Sequence, residues 1–162
     1  MPLFSFTKES GIKKTLQDIM IKGDNSIPIS SKWHKYIDLY QGLISSEEIG
    51  FDLPKTRKNL ERIDANTDLN NCIFQIRSSG IRAISIENQY PTFAVSHSGG
   101  GAMIPVYSRE RRHMSLLEMT KLMGFPTNFQ FPVSRTHAIK QLSNAVCPPV
   151  IESIAKDISR IL

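Results

Sequence analysis

The sequence has no apolar run of the roughly 18 residues that a membrane-spanning helix needs. Its N-terminus also lacks an apolar stretch of signal-peptide length. The 2 cysteines, Cys72 and Cys147, lie far apart, and neither is spaced with the 4 histidines as in a zinc site. We therefore expect a soluble, cytoplasmic protein that spans no membrane, has no disulfide framework and binds no metal.

The sequence also contains few motifs that would indicate a catalytic site. The run Gly99-Gly100-Gly101 lacks the lysine and the following serine or threonine of a P-loop, which favours a flexible loop. Cys147 precedes two prolines at a predicted helix start, where backbone N–H groups can stabilise a thiolate. We favour the alternative of a small buried side chain behind the helix turn, because free cysteine is among the most buried residue types. The sequence thus predicts no catalytic residue.

What the sequence does contain is enough apolar material for a core and an excess of positive charge. It has 162 residues, of which 40% are hydrophobic, so it fits one domain or two small lobes. The 20 Lys and Arg against 15 Asp and Glu leave a formal net charge of +5. This balance is compatible with a polyanionic partner, although many proteins without one are as basic.

The apolar spacing predicts an alternation of helices and short strands. Helices are predicted for Lys13–Met20, Ser31–Gln41 and Lys55–Arg62, for a segment that opens with the capping box Ser115-Leu-Leu-Glu118, and for a last segment that begins at Pro148-Pro149. Strands are predicted for Cys72–Ile76, Ile81–Ile86, Pro91–Val95 and Met103–Tyr107. The last helix carries one apolar stripe, formed by Val150, Ile151, Ile154, Ile158 and Ile161.

Two segments in the last third resemble shared motifs of bacterial DNA (cytosine-5) methyltransferases. Arg112-His-Met-Ser-Leu-Leu-Glu118, followed by Leu122-Met-Gly-Phe-Pro126, is similar to the ninth motif, in which Arg, five residues and Glu precede Gly-Phe-Pro. Lys140-Gln-Leu-Ser-Asn-Ala-Val-Cys-Pro-Pro-Val150 is similar to the tenth motif, except that Ser143 stands where the family has Gly. A serine there would be strained if the backbone needs a positive φ.

Upstream, Arg77-Ser-Ser-Gly-Ile-Arg82, then Tyr90-Pro-Thr92 and the glycine run, are similar to the end of that family's target recognition domain. The family's Gly-rich cofactor loop, Pro-Cys nucleophile, Glu-Asn-Val motif and Gln-Arg-Arg motif do not occur in the sequence. The resemblance therefore implies the C-terminal part of such an enzyme, with catalysis dependent on a lobe or subunit that carries Pro-Cys and Glu-Asn-Val.

The implied fold is α/β, with an irregular, β-rich target recognition lobe. Helices that complete an S-adenosylmethionine-dependent, Rossmann-like methyltransferase domain follow this lobe. Residues 1–23 would connect from the catalytic domain, residues 24–110 would form the recognition domain, and residues 111–162 would carry the ninth and tenth motifs. S-adenosyl-L-methionine would bind mainly to the missing catalytic lobe.

The resemblance also implies roles for individual residues. Double-stranded DNA would be contacted by Arg77, Arg82, Thr92, Ser96, Gly99, Gly100 and Gly101. Arginine suits this role because a guanidinium can grip guanine O6 and N7 with two hydrogen bonds. The Thr92 hydroxyl would bond a phosphate, and the small residues of 96–101 would let the backbone approach the groove. The alternative for Arg77 and Arg82 is that they are surface arginines flanking a turn.

The resemblance implies structural roles for the residues of the ninth motif and a cofactor-binding role for those of the tenth motif. Arg112 and Glu118 would form an internal ion pair or hydrogen-bond network, and Gly124, Phe125 and Pro126 complete the ninth motif. Asn144 and Ala145 match the segment that meets the methionine end of the cofactor, where free N–H groups at a helix start would favour its carboxylate. A purely structural cap is the alternative for these two residues.

The expected function is the DNA-recognition and structural portion of a restriction-modification methyltransferase, inactive without its catalytic lobe. A non-enzymatic DNA-binding module is the first alternative, since the recognition segment and basic charge would suffice for it. The exposed stripe of a lone last helix argues against it. A degenerate methyltransferase remnant is the second alternative, and Ser143 is its only support in the sequence.

Overall fold

The computed structural model describes residues 14–21, 27–93, 95, 97–98 and 101–160. Five helices are assigned in these ranges: α1 Ser31–Tyr40, α2 Lys55–Lys58, α3 Leu116–Leu122, α4 Arg135–Asn144 and α5 Pro148–Ser159. The strands there are β1 Leu60–Arg62, β2 Cys72–Arg77, β3 Gly80–Ser85, β4 His97–Ser98, β5 Gly101–Ala102, β6 Val106–Tyr107 and β7 Arg112–His113. The protein is thus a mixed α/β structure, as expected.

A five-stranded sheet organises the described residues, in the order β1-β3-β2-β6-β7. Its centre is the hairpin of β2 and β3, in which Arg77 pairs with Gly80 and Cys72 pairs with Ser85. The edge strand β1 runs parallel to β3, whereas the other pairings in this sheet are antiparallel. A separate two-stranded pairing of β4 with β5 flanks residues 99–100.

Both faces of the sheet are covered, which explains the nearly continuous apolar sequence of β2. Alternate residues such as Cys72 and Phe74 pack in one core with Ile37 of α1. Ile73, on the opposite face, packs in a second core with residues of α3 and α4, including Met119 and Leu142. A strand with two buried faces cannot show the simple alternation of apolar and polar residues.

The ends of α1 follow from its sequence. The Ser30 hydroxyl accepts a hydrogen bond from Trp33 N, which caps the first turn. Ile37 is fully buried, and the Tyr40 ring lies 5.3 Å from the Phe74 ring of β2. Gly42 then adopts φ +73, a conformation that ends the helix at low cost only with glycine. The predicted helix at Ser31–Gln41 is confirmed.

Gly124, which follows α3, packs closely against the start of α5. Ser115 and Glu118 form the predicted capping box, and Gly124 follows the helix with φ +75. A Cβ atom on Gly124 would lie 2.7 Å from Pro149 Cδ and 3.4 Å from Cys147 Sγ. Gly124 is therefore required twice, once for its backbone conformation and once because the α5 start approaches it closely.

Several predicted elements are wrong, because contacts distant in sequence replace the local pattern. In place of the helix at Lys13–Met20, the structure has a 3-10 turn at Leu16–Asp18, and Lys13 lies outside the described residues. Leu16 N and Gln17 N donate to Asn88 O and Ile86 O, at 3.0 and 2.7 Å. These hydrogen bonds to residues distant in sequence occupy the backbone N–H groups of Leu16 and Gln17, which a helix over this segment would use for its own hydrogen bonds.

The predicted helix Lys55–Arg62 ends at Lys58, because Leu60–Arg62 instead pair with Ile81–Ala83 as β1. Residues 91–93 and 95 form no strand, and Met103–Tyr107 contributes only Val106–Tyr107. Helix α4 and strand β7 were not predicted. Helix α4 buries only Ala138, Ile139 and Leu142, which is too few apolar positions for a clear helical period.

We expect Gly124→Ala to destabilise the protein more than Gly42→Ala. Both glycines have nearly the same φ, but a Cβ atom at Gly42 would meet nothing within 4 Å. Gly42→Ala should cost roughly 1–2 kcal/mol for the left-handed backbone. Gly124→Ala should cost about 1–3 kcal/mol more, because Pro149 must move. Denaturant unfolding measures both, and equal losses would contradict the close contact.

Candidate nucleic-acid interface

One face of the β1-β3-β2 edge carries a cluster of polar side chains. Arg82 of β3 pairs in register with Glu61 of β1 and with Gln75 of β2, so the three side chains lie on the same face. Glu61 Oε1 lies 3.2 Å from Arg82 Nη2. The same carboxylate also forms an ion pair with Arg77. One carboxylate thus bridges two of the predicted DNA-binding arginines.

Thr92 joins this cluster through its backbone. Gln75 Nε2 donates to Thr92 O at 3.2 Å, while the Thr92 side chain is exposed. Burial raises the pKa of the nearby Tyr90 phenol, and its hydrogen bond with Gln75 and the charge of Arg82 lower it only in part. The phenol therefore stays neutral near pH 7. The fold brings Arg77, Arg82 and Thr92 together, although they are separated along the chain.

Three members of this cluster, Glu61, Gln75 and Tyr90, were not predicted from the sequence as DNA-binding residues. Glu61 belongs to a polar segment without any periodicity, so nothing marked it. Gln75 had a usable signal, because it is a polar residue inside the apolar strand β2 and is 7% exposed. Tyr90 was noted only as part of a motif.

The rest of the predicted DNA-binding loop is only partly visible. Ser96, Gly99 and Gly100 lie outside the described residues. Gly101 begins β5 and pairs with Ser98 of β4. Their contacts with DNA stay predictions.

The two charged residues of the ninth motif form a buried ion pair. Arg112 Nη2 and Nη1 donate to the two oxygens of Glu118, at 2.7 and 2.8 Å. The Glu118 side chain is 0% exposed and that of Arg112 is 7% exposed. Glu110 adds a second carboxylate at 2.7 Å from Arg112 Nε. This geometry matches the expected internal ion pair.

The pair also fixes segments that are distant in sequence. Ile21 N donates to Glu118 Oε1 at 2.9 Å, and Arg112 Nη2 donates to Ile21 O at 2.9 Å. Ser115 N donates to Glu118 Oε2 at 2.8 Å, which closes the capping box of α3. Burial would raise the pKa of Glu118, but the Arg112 guanidinium and these backbone donors hold it below its ordinary value.

A groove of about 830 Å³ lies beside the ninth motif. Its walls come from the 3-10 turn, from Tyr90, and from residues at the end of α3 and the start of α5, including Gly124, Phe125, Cys147 and Pro149. The Phe125 ring continues into a row of aromatic contacts, 4.9 Å to Phe129 and 4.9 Å from Phe129 to Phe131. The exposed Pro126 follows Phe125 in this turn.

Asn144 and Ala145 border a shallow hollow at the end of α4. The hollow measures about 350 Å³ and is also lined by His137, Lys140 and Gln141. The first three residues of the next helix offer no free N–H group, because Pro148 and Pro149 have none and Val150 N donates to Cys147 O at 3.0 Å.

Ser143 is not strained. It lies inside α4, and Arg111, at φ +50, is the only non-glycine residue with positive φ among those described. The Ser143 hydroxyl donates to Lys140 O at 3.0 Å, a bond that a helical backbone accommodates. The concern raised by the missing glycine therefore does not apply.

Helix α5 exposes its apolar stripe. No residue of α5 is buried, and Val150, Ile151, Ile154 and Ile158 are 50%, 49%, 37% and 52% exposed. Ile161 lies outside the described residues. The neighbouring Val146 is 62% exposed. Large apolar side chains grouped on one helix face usually mark an interface.

The described residues contain neither a metal-binding cluster nor a membrane-spanning helix. Within the described ranges, no group of three or more His, Cys, Asp or Glu is placed to hold a metal ion. None of the helices described here has the length and apolar character to cross a bilayer.

The family of the protein follows from comparison with known sequences. The family model described as C-5 cytosine-specific DNA methylase matches residues 1–160, and the chain belongs to this family. The resemblance noted from the ninth and tenth motifs is therefore confirmed. No solved structure matches the chain.

Curated relatives are similar over shorter stretches. The Type II methyltransferase M.NlaX of Neisseria lactamica is 38% identical over 64 residues, which are 40% of this chain and 20% of the relative. M.BsuFI of Bacillus subtilis is 48% identical over 44 residues, 27% of this chain and 11% of the relative. M.MspI of Moraxella sp is 43% identical over 51 residues, 32% and 12% of the two chains. The matches thus span a small part of each relative.

We expect Glu118→Gln to cost about 3–5 kcal/mol at pH 7, because it leaves the buried Arg112 charge without its main partner. Since folding lowers the Glu118 pKa, its stabilisation is present above the ordinary value near 4.5 and is lost as pH falls through the folded value. The difference from wild type should therefore shrink in acid. Denaturant unfolding between neutral and acid pH measures this.

Glu152→Gln is the matched control, because it removes the same charge from an exposed ion pair with Lys156. It should change stability little at any pH. A Glu118→Gln variant as stable as Glu152→Gln would contradict the structural role of the buried pair.

Proposed function

We propose that this chain is the DNA-recognition and structural portion of an S-adenosylmethionine-dependent DNA (cytosine-5) methyltransferase of a restriction-modification system. The observation that carries the proposal is the exposed apolar stripe of α5 in a member of this family. Such a stripe needs a partner surface, and the catalytic lobe of a methyltransferase is the surface that we propose. The chain would then be inactive until that lobe is present.

The proposed recognition domain comprises residues 24–110 and contains the Arg77, Arg82 and Thr92 cluster. Positive charge on an exposed sheet edge suits a phosphate backbone, and paired guanidinium donors suit guanine. Residues 1–23 would connect this domain to the catalytic lobe, and residues 111–162 would complete the methyltransferase domain. The overall excess of positive charge supports double-stranded DNA as the partner.

S-adenosyl-L-methionine would contact only one edge of this chain. The hollow at Asn144 and Ala145 is near the lower limit of about 300–1,000 Å³ for ligand sites, and it is open. The Asn144 side chain is exposed and has no hydrogen bond within the described residues, so its amide is available to a bound carboxylate. These features fit one wall of a cofactor site. The bound cofactor would supply the methyl group.

The proposed docking surface is the α5 stripe together with the adjoining groove. Pro149 contributes to the groove wall, and Val150 and Ile151 continue from it along α5. Burying one such aliphatic side chain is worth roughly 1.5–3 kcal/mol, so the four exposed residues provide a strong drive toward a complementary surface. The catalytic lobe carrying the Pro-Cys and Glu-Asn-Val motifs is its proposed occupant, as a second subunit or another part of one polypeptide.

The two alternatives are less well supported. A non-enzymatic DNA-binding module would leave the α5 stripe without a function. A degenerate remnant drew its support from Ser143, which fits α4 without strain.

We expect the chain to bind duplex DNA with an affinity that falls steeply as salt rises, because Lys and Arg contacts release counterions. Arg77→Ala and Arg82→Ala should each weaken binding. Loss of a guanine contact should cost about 1–3 kcal/mol and relax specificity at one base pair, whereas loss of a phosphate contact should weaken all sequences alike. Fluorescence anisotropy across a KCl series distinguishes these cases. Unchanged binding in both variants would remove the arginines from the interface.

We expect Ile154→Asp to abolish assembly with the catalytic lobe, because it places a charge in the middle of the apolar stripe. Co-expression followed by size-exclusion chromatography measures assembly, and protection of DNA from the cognate endonuclease measures methylation. The complex should methylate DNA, and the chain alone should not. Thr92→Ala should leave assembly intact and impair methylation.

Lys156→Gln is the matched control for Ile154→Asp. It makes the same change in formal charge on the opposite side of α5, where Lys156 is 64% exposed. Assembly should be unaffected by this control. Separate elution of the wild-type chains, with unprotected DNA, would contradict the proposed partner.

A further inference from the structure

Glu61 forms ion pairs with two arginines at once. Its carboxylate contacts the guanidinium groups of both Arg77 and Arg82, which come from two different strands. The strand register places Glu61 directly beside Arg82, in a parallel pairing that Leu60 and Arg62 extend on either side. The backbone of β1 therefore places the Glu61 side chain next to that of Arg82.

The side chains of the two arginines are partly buried. Their Nε atoms are buried and have no hydrogen-bond partner within the described residues, while the side chains remain 27% and 24% exposed. Both contacts with Glu61 use Nη2. A guanidinium carries N–H donors on Nε, Nη1 and Nη2, so each arginine keeps donors besides the Nη2 group that contacts Glu61.

A single surface ion pair would not indicate a functional role for its residues, because such pairs contribute little to stability. Here, however, Glu61 is the common partner of two groups that would otherwise be free to turn toward any phosphate. An arginine that bonds whichever phosphate is nearest adds affinity for all DNA and no sequence information. A guanidinium held in one orientation can instead present two parallel donors to guanine O6 and N7.

We propose that Glu61 is a positioning residue that holds Arg77 and Arg82 as a rigid pair for reading a guanine-containing step in the major groove. The proposal rests on the proposed function of this chain in DNA recognition. Glu61 also removes one positive charge from the cluster, which limits attraction to DNA of any sequence. It therefore contributes to specificity by two routes, orientation and charge.

The test uses the full 162-residue chain and a duplex pool with a randomised central segment. Dissociation constants are then measured in a KCl series for the selected duplex and for a mixed-sequence duplex. For Glu61→Gln we expect tighter binding to the mixed-sequence duplex and a salt slope steeper by about one. The preference for the selected duplex should fall about tenfold, because the arginines are no longer held.

Glu61→Asp separates orientation from charge. Aspartate keeps the negative charge, but its shorter side chain cannot reach both guanidinium groups from the same backbone position. Its salt slope should match that of wild type, while its preference for the selected duplex falls. Glu47→Gln, which removes a charge from an exposed residue of another loop, should behave as wild type. Circular dichroism melting of each variant checks that the fold is retained.

The outcomes distinguish this proposal from the function on which it rests. If Arg77→Ala and Arg82→Ala lose sequence preference while Glu61→Gln behaves like Glu47→Gln, Glu61 is not a positioning residue, but DNA recognition stands. If Glu61→Asp behaves as wild type and Glu61→Gln strengthens binding to both duplexes alike, Glu61 acts through charge only and the positioning role is wrong. A wild-type chain without salt-dependent DNA binding would overturn both proposals.

Discussion

The buried pair of Arg112 and Glu118 is the interaction on which much of this structure depends. Removing two charges from water is costly, and the cost is offset only when every donor and acceptor has a partner. Glu118 meets this requirement with donors from Arg112, Ser115 and Ile21. The same bonds join the segment before α1, the edge strand β7 and the first turn of α3. Three pieces of chain are thus held at one point by one requirement.

The sheet gives the cluster of Glu61, Gln75, Arg77 and Arg82 its form. Both faces of β2 and β3 are buried along most of their length, and the charged side chains of these two strands lie toward the end of the hairpin at Arg77 and Gly80. Gln75, Arg82 and Glu61 occupy neighbouring positions on one face there. The packing that excludes water from the core therefore also gathers these charged groups at one end of the hairpin.

Helix α5 represents the opposite situation. Its start is held by the contact of Pro149 with Gly124, yet its stripe lies open to solvent. Stability of a helix in a protein comes mostly from packing of its apolar face, and the described residues do not supply such packing for the α5 stripe. The chain is thus well packed around its sheet, whereas α5 leaves apolar surface exposed.

The sequence by itself determined the features that neighbouring residues decide: the cap of α1 at Ser30, the capping box at Ser115 and Glu118, the helix end at Gly124, the β2-β3 hairpin and the apolar stripe of α5. It also determined the family, because the ninth and tenth motifs are local patterns. Only the tertiary structure decided that Glu61 bridges Arg77 and Arg82, which are 16 and 21 residues away. It likewise decided that Leu16–Asp18 form a short turn and that Glu118 bonds Ile21, 97 residues away. Local sequence patterns reflect interactions between residues a few positions apart. The contacts of Glu61 and Glu118 depend instead on how strands and helices pack, which no short stretch of sequence encodes.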